Sequence, residues 1–115
     1  MTGRRRIRVL DLVDDAQLID AYRTRHAPGA VWPEVIEHIR ATGVLDMEVW
    51  WTRNRLVMIM EVAEDFPRDV PEPAQVAEWE RQMWRFQQPL PDTLPGEKWI
   101  ETMRIFALDG SHETS

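Results

Sequence analysis

The chain contains no cysteine, so disulfide bonds and thiolate chemistry are excluded. It also has no run approaching the ~20 apolar residues that a membrane span requires. At the N-terminus, the acidic residues within "VLDLVDDAQ" (9–17) interrupt the apolar core that a secretory signal would need. We therefore expect a cytoplasmic protein that does not bind a membrane.

An excess of basic residues is absent as well. The chain has 14 Lys and Arg against 20 Asp and Glu, a net charge of −6, which argues against binding to a phosphate backbone. The single basic run, "GRRRIR" (3–8), is short, and we interpret it as solubilising charge that leads into a strand. No nucleic-acid partner is expected.

The sequence motifs of nucleotide, zinc and nucleophile sites are missing too. The chain has no GxGxxG, GxxxxGK, HExxH or GxSxG pattern. Of its three histidines, His26 and His38 fall in separate predicted helices and His112 falls in the C-terminal tail. We therefore predict neither a metal site nor a cofactor.

Tryptophan, in contrast, is abundant, with six residues in a chain of 115. An indole fills a protein core, but its flat face also stacks on the C–H faces of sugars, which gives a first indication of a ligand class. The apolar fraction of 43% and the charged fraction of 30% are typical of a globular protein. The length predicts one domain, over 6–108, followed by a flexible tail at 109–115.

The hydrophobic pattern predicts four strands and three helices. A helix N-cap is expected at Asp14 or Asp15, Pro33 suits the first turn of the second helix, and Gly43 suits its end. A tight turn at 52–55 joins the two middle strands. The strands are predicted at 6–13, 44–51, 56–62 and 98–108, and the helices at 14–26, 32–43 and 74–88.

The resulting order, β-α-α-β-β-α-β, predicts an α+β fold. With the break between the first two helices disregarded, it is the order of a ferredoxin-like sandwich, a four-stranded antiparallel sheet with helices on one face. The second strand carries apolar residues on both faces, with Met47, Val49 and Trp51 on one and Trp50 on the other. A single copy would leave the apolar residues of the second face exposed to solvent. We therefore predict a homodimer, a dimeric α/β barrel, whose sheets pack together.

General acid–base groups are the remaining candidates for chemistry. His26 is the best of them because an imidazole titrates near neutrality, and the helix C-terminus at which it lies favours its protonated form. A histidine that only caps the helix carbonyls is the structural alternative. Tyr22, one turn earlier, either binds a substrate hydroxyl or packs in the core. Trp79 is likewise either a core residue or a platform for a sugar.

Several segments together resemble the L-rhamnose mutarotase family. The similarity runs in order over about 6–108, and "GVLDMEVW" (43–50) and "GEKW" (96–99) look most like the L-fucose mutarotase branch of that family. The segments that carry the resemblance are "YRTRH" (22–26), "VWPEV" (31–35), "NRLVMIMEV" (54–62), "WERQMWRFQQPLP" (79–91) and "RIFAL" (104–108).

The resemblance implies a homodimeric, ferredoxin-like isomerase that interconverts the α and β anomers of a 6-deoxyhexose without a cofactor. His26 matches the family's proton-donating histidine, Tyr22 its sugar-binding tyrosine, and Trp79 the first residue of its tryptophan pair. Glu80 stands where the second tryptophan is expected, and Met47 where a further sugar-binding tyrosine is expected. The expected sugar is L-fucose or L-rhamnose, and these departures favour a sugar hydroxylated differently from L-rhamnose. Glu80 is a candidate for the complementary base or for a hydroxyl clamp.

Two alternatives stay open. The same fold could carry a monooxygenase or lyase-like enzyme that acts on an aromatic substrate, or it could be a non-catalytic interaction domain in which Tyr22 and His26 are structural. The lining of the pocket discriminates between the enzymes: a sugar site has several hydrogen-bonding groups around a flat aromatic ring, and an aromatic-substrate site has almost none.

Overall fold

The computed structural model describes residues 4–111, so His112 and the rest of the predicted tail at 112–115 lie outside the described residues. Within the described part, Leu108 and Asp109 form a turn, in which Gly110 N donates to Ala107 O at 2.9 Å. The elements, in chain order, are β1 (Arg4–Leu12), α1 (Ala16–Arg25), α2 (Pro33–Ala41), β2 (Val44–Thr52), β3 (Arg55–Val62), α3 (Ala74–Met83), β4 (Gln87–Gln88) and β5 (Ile100–Glu101).

The strands form one antiparallel sheet in the order β2-β3-β1-β4, and β5 also pairs with β1. This order confirms the α+β, ferredoxin-like prediction. The hairpin turn between β2 and β3 is also where the sequence places it, because Thr52 pairs with Arg55. Arg53, inside this turn, adopts a left-handed conformation with φ 54°.

The predicted helix boundaries hold for α1 and α2. Asp15 is the N-cap of α1, and its Oδ1 accepts a hydrogen bond from Leu18 N at 2.9 Å. Pro33 opens α2, where its missing N–H costs nothing. Gly43 follows α2 with φ 107°, and a Cβ there would lie 3.4 Å from the Cβ of Phe66.

The prediction of a helix over 74–88 is wrong at its C-terminal end. The helix α3 ends at Met83, and a turn at 84–86 follows, in which Phe86 N donates to Met83 O at 2.9 Å. Gln87 then pairs with Leu12 across β1. Two causes favour this early end: Pro89 disfavours a helical residue before it, and the edge of β1 offers hydrogen bonds that the helix would forgo.

The prediction of a closing strand over 98–108 is wrong for most of its length. Only Ile100–Glu101 form a strand, and Thr102 N still donates to Ile7 O at 2.9 Å before the chain leaves β1. The fourth position of the sheet is thus shared by the two short strands β4 and β5. Beyond Thr102 the large apolar side chains do not enter the core that residues 4–111 form, and Ile105 is 94% exposed.

The helices pack on one face of the sheet. Side chains alternate along β1 and β3, so that Leu10, Leu12, Leu56 and Met60 point to the helical side and are buried. The intervening residues point to the other face, where Trp50 is 61% exposed. The apolar residues of this second face, which we call the open sheet face, are Ile7, Val9, Trp50, Val57 and Ile59. None of the helices within residues 4–111 is long and apolar enough to cross a membrane.

Candidate active site

A cavity of about 450 Å³ lies between the helices and the inner face of the sheet. It receives side chains from all three helices and from β1 to β4. Every site residue that the sequence predicts lines this cavity: Tyr22, His26, Met47, Trp79 and Glu80.

Helix α1 brings the imidazole and the phenol together at its C-terminal end. The rings of Tyr22 and His26 stack with centroids 4.1 Å apart. His26 is also the C-cap residue, and its Nδ1 lies 2.8 Å from the backbone oxygen of Tyr22. Since a carbonyl oxygen can only accept, Nδ1 carries the proton, and Nε2 of the neutral imidazole is left with a lone pair.

Burial lowers the pKa of His26 below its usual 6.5. The hydrogen bond to the Tyr22 carbonyl and the charge of Glu80 raise the pKa, and the charge of Arg25 lowers it further. The carbonyl at the helix C-terminus does favour the protonated form, as expected, but the loss of hydration outweighs it, so the net pKa is lowered. At neutral pH His26 is a neutral imidazole that is ready to accept a proton.

Tyr22 is 4% exposed, and burial raises its pKa to about 12. The charge of Glu80 also raises this pKa, while a hydrogen bond from the side chain of Gln87 lowers it. The phenol therefore keeps its proton throughout the physiological pH range and can donate it in a hydrogen bond.

Trp79 belongs to both the core and the cavity. It is 3% exposed, and its ring meets His26 edge to face, with centroids 5.7 Å apart. On another side it meets Trp32 edge to face, with centroids 5.1 Å apart. The packing of Trp79 thus supports the core interpretation, and its place on the cavity wall leaves the platform interpretation standing.

Glu80 contacts a charged side chain, whereas Met47 lies among apolar ones. Glu80 Oε2 accepts a hydrogen bond from Lys98 Nζ at 2.7 Å, and the ammonium also lies 4.5 Å from the centre of the Trp84 ring. Lys98 therefore holds the carboxylate in place. Met47, on β2, pairs with Met60 across the sheet and adds an apolar wall.

Several residues that were not predicted as site residues also line the cavity, among them Arg8, Gln87 and Trp99. Arg8 shares its face of β1 with the buried Leu10, so strand alternation could have found it. Its Nε donates to Glu101 Oε2 at 2.6 Å. Gln87 was missed because the sequence predicted that α3 continues to residue 88. Its position at the cavity follows instead from the pairing of β4 with β1.

The cavity combines apolar walls with hydrogen-bonding groups of several kinds, namely a phenol, an imidazole, a carboxylate, an amide and a guanidinium. Such a lining suits a small molecule that carries several hydroxyl groups on an apolar ring. No cluster of three or more His, Asp or Glu side chains that could hold a metal ion occurs among residues 4–111.

Comparisons with known proteins give a consistent result. The family model described as L-rhamnose mutarotase matches residues 5–108. An L-fucose mutarotase from Xanthomonas campestris pv. campestris is 46% identical over 114 residues, covering 94% of this chain and 90% of that protein. A UPF0734 protein from Dictyostelium discoideum is 32% identical over 109 residues, covering 87% of this chain and 86% of that protein.

The fold has a counterpart among solved structures. The crystal structure of an L-rhamnose mutarotase from Formosa agariphila matches with a TM-score of 0.67 and 22% sequence identity. The match covers 92% of this chain and 99% of that chain. At this level of identity the likeness shows a shared fold.

Proposed function

The chain belongs to the L-rhamnose mutarotase family, and from this premise we propose that it is an aldose 1-epimerase that interconverts the α and β anomers of L-fucose and acts less well on L-rhamnose. The similarity to a protein named L-fucose mutarotase, which extends over nearly the whole chain, is the observation that carries the choice of sugar. Met47 and Glu80 also support the choice of L-fucose, because at these two positions the lining of the cavity differs from that expected in the rhamnose-specific members.

In the proposed reaction His26 moves one proton. Nε2 of the neutral imidazole takes the proton of the anomeric hydroxyl, the bond between C1 and the ring oxygen breaks, and the resulting imidazolium gives the proton to the ring oxygen. The open-chain aldehyde rotates about C1–C2 and closes by the reverse steps to the other anomer. Proton transfer by a placed side chain contributes roughly 10²–10⁴-fold to a rate, which suits a reaction whose uncatalysed barrier is moderate.

The other site residues hold the sugar in this scheme. The phenol of Tyr22 donates a hydrogen bond to a sugar oxygen, and Trp79 supplies part of the apolar wall against the C–H face of the ring. Glu80 accepts a hydrogen bond from a hydroxyl at the rim, where Lys98 fixes its position. Met47 supplies apolar contact. The reaction as proposed needs no cofactor, since its steps only move a proton, break and re-form the bond between C1 and the ring oxygen, and rotate the C1–C2 bond.

The lining of the cavity also bears on the alternatives. An enzyme for an aromatic substrate predicts almost no hydrogen-bonding groups around the ring, whereas Arg8, Tyr22, His26, Glu80 and Gln87 all line this cavity. A non-catalytic interaction domain gives no reason for a neutral imidazole and a protonated phenol to line the same cavity, as His26 and Tyr22 do. We therefore place the sugar isomerase first.

We also propose that two copies of the chain form a homodimer in the cytoplasm. Support comes from the open sheet face and from the C-terminal segment at 102–108. In this segment Met103, Ile105, Phe106 and Leu108 are each between 73% and 94% exposed. Exposed apolar side chains in such number mark an interaction surface, and a second copy would bury them.

The test of the activity is the exchange between the α and β anomers, measured with the wild-type protein by saturation-transfer NMR. We expect exchange of L-fucose to be faster than its uncatalysed rate, and the gain for L-rhamnose to be smaller. Absence of any catalysed exchange for both sugars would contradict the proposed activity, and a larger gain for L-rhamnose would contradict the proposed specificity.

A further inference from the structure

Gln87 is the one polar residue that is buried among residues 4–111, with 7% of its surface exposed. It starts β4 and lines the cavity together with Tyr22, His26 and Trp79. Nothing in the reaction described above uses it. A polar side chain buried beside a substrate cavity calls for an explanation, because burial of an amide without partners destabilises the fold.

The backbone holds Gln87 firmly. Its position pairs with Leu12 of β1, and its N donates to Trp84 O at 3.3 Å. Immediately before it, Phe86 O accepts a hydrogen bond from Val13 N at 2.8 Å. With the backbone fixed on both sides, the amide group is held against the cavity.

One end of the amide interacts with the phenol. The hydrogen bond from the Gln87 side chain lowers the pKa of Tyr22. Such an effect belongs to a bond donated to the phenol oxygen, since that bond stabilises the phenolate form. The amide of Gln87 and the phenol of Tyr22 are thus neighbours on the cavity wall.

The other end of the amide has no partner. Gln87 Oε1 is buried and accepts no hydrogen bond from any of the residues at 4–111. Nearly all buried polar atoms in proteins are hydrogen-bonded, so an orphaned acceptor beside a cavity points to a donor that arrives with a ligand. In a site for a sugar, that donor is a hydroxyl group.

We propose that Gln87 is a substrate-positioning and specificity-determining residue, whose Oε1 accepts a hydrogen bond from one hydroxyl of the bound sugar. This inference rests on the proposed function and deepens it. It predicts that the site distinguishes a sugar that carries this hydroxyl from the deoxy sugar that lacks it, because the deoxy sugar leaves Oε1 without a partner.

The experiment compares Gln87→Met with Gln88→Met. The two positions are neighbours on β4, but Gln88 is exposed and serves as the matched control. Anomer exchange is measured by NMR for L-fucose and for analogues that lack the hydroxyl at C2, C3 or C4, so that KM and kcat are obtained for each pair of variant and sugar.

In the wild type, removal of one particular hydroxyl is expected to raise KM about 5- to 10-fold through the lost hydrogen bond. Gln87→Met is expected to raise the KM of L-fucose by a similar factor, and removal of that hydroxyl then has no further effect. Gln88→Met is expected to behave as the wild type. The coupling between one side chain and one hydroxyl is a result that a purely structural role of Gln87 does not give.

The inference is overturned if Gln87→Met changes kcat and KM by the same factors for every sugar, or if its effects and those of each missing hydroxyl simply multiply. It is also overturned if Gln87→Met keeps wild-type kinetics. These outcomes leave anomer exchange by the wild type intact, whereas absence of any catalysed exchange in the wild type would contradict the proposed function itself.

Discussion

Opposing effects act on the imidazole of His26, and their balance decides how the site depends on pH. Burial lowers its pKa, while the Tyr22 carbonyl and Glu80 raise it, and burial prevails. Because the reaction as proposed begins with the neutral form, kcat/KM is expected to be constant from pH 7 to pH 9 and to fall only below the ordinary imidazole value of about 6.5. A pH profile of anomer exchange checks this, and a rate that rises as the pH falls from 7 to 6 would contradict it.

The same lowered pKa has a consequence for stability. Between its lowered pKa and the ordinary value of about 6.5, the unfolded chain binds a proton at His26 that the folded chain does not, so stability falls as the pH drops through this window. Above the window this effect is absent. In urea unfolding, His26→Gln is expected to gain stability relative to the wild type as the pH drops below about 6.5. A difference between the two proteins that stays constant with pH would contradict the burial of a neutral imidazole.

At the residue scale, the candidate residues that the sequence singled out line one cavity, and their roles stay a prediction. The spacing of Tyr22 and His26 gave their common face, because a helix fixes positions four residues apart. The protonation state of His26 could not be predicted, since it depends on burial by α3, which is distant in the sequence. Strand alternation in the sequence could have found Arg8, whereas Gln87 and Trp99 were missed because their places in the cavity follow from strand pairing and loop packing.

At the scale of elements, the N-cap of α1 can be tested separately, and it matters for the site because α1 positions both Tyr22 and His26. Asp15→Ala removes the side-chain oxygen that accepts a hydrogen bond from Leu18 N, and loss of such a cap costs about 1 kcal/mol of stability. Asp14→Ala is the matched control, since the neighbouring carboxylate has the same charge and Asp15 is the N-cap. Thermal unfolding is expected to show a lower Tm for Asp15→Ala alone. Equal losses in the two variants would contradict the assigned cap.

The errors at the element scale share a physical cause. The helical stripe that continues through Phe86 predicted a helix to residue 88, and the apolar alternation in "RIFAL" predicted a strand to residue 108. Both patterns report only how side chains are distributed along the chain. Pairing at the edge of β1 ends α3 early, and the lack of an apolar surface for residues 102–108 within one copy leaves them irregular.

For the whole molecule, the order of elements was enough to predict the ferredoxin-like fold. In a ferredoxin-like sheet β3 lies between β1 and β2, and once the helices are placed, few other sheet topologies are compatible with this order of elements. The dimer stays a prediction. On the open sheet face Trp50 is exposed and the other apolar side chains are partly exposed, and in the segment at 102–108 the large apolar side chains are exposed in one copy of the structure.

The dimer is tested by a charge in the C-terminal segment. Ile105→Asp is expected to shift the protein from dimer to monomer in sedimentation-equilibrium experiments, because a carboxylate cannot be buried in an apolar interface without a partner. Leu94→Asp is the control, since Leu94 is also exposed, at 67%, but lies outside both surfaces. A wild-type protein that is a monomer at micromolar concentrations would contradict the proposed assembly, as would a dimer that Ile105→Asp leaves unchanged.

The most direct test of the proposed role of His26 is the rate at which the His26→Ala variant exchanges the anomers of L-fucose at neutral pH. Gln17→Ala, an exposed change on the same helix, serves as the control, and circular dichroism verifies that both variants are folded. We expect His26→Ala to lower kcat at least 100-fold and Gln17→Ala to retain the wild-type rate. A folded His26→Ala protein that exchanges the anomers at the wild-type rate would contradict the claim that this imidazole moves the proton.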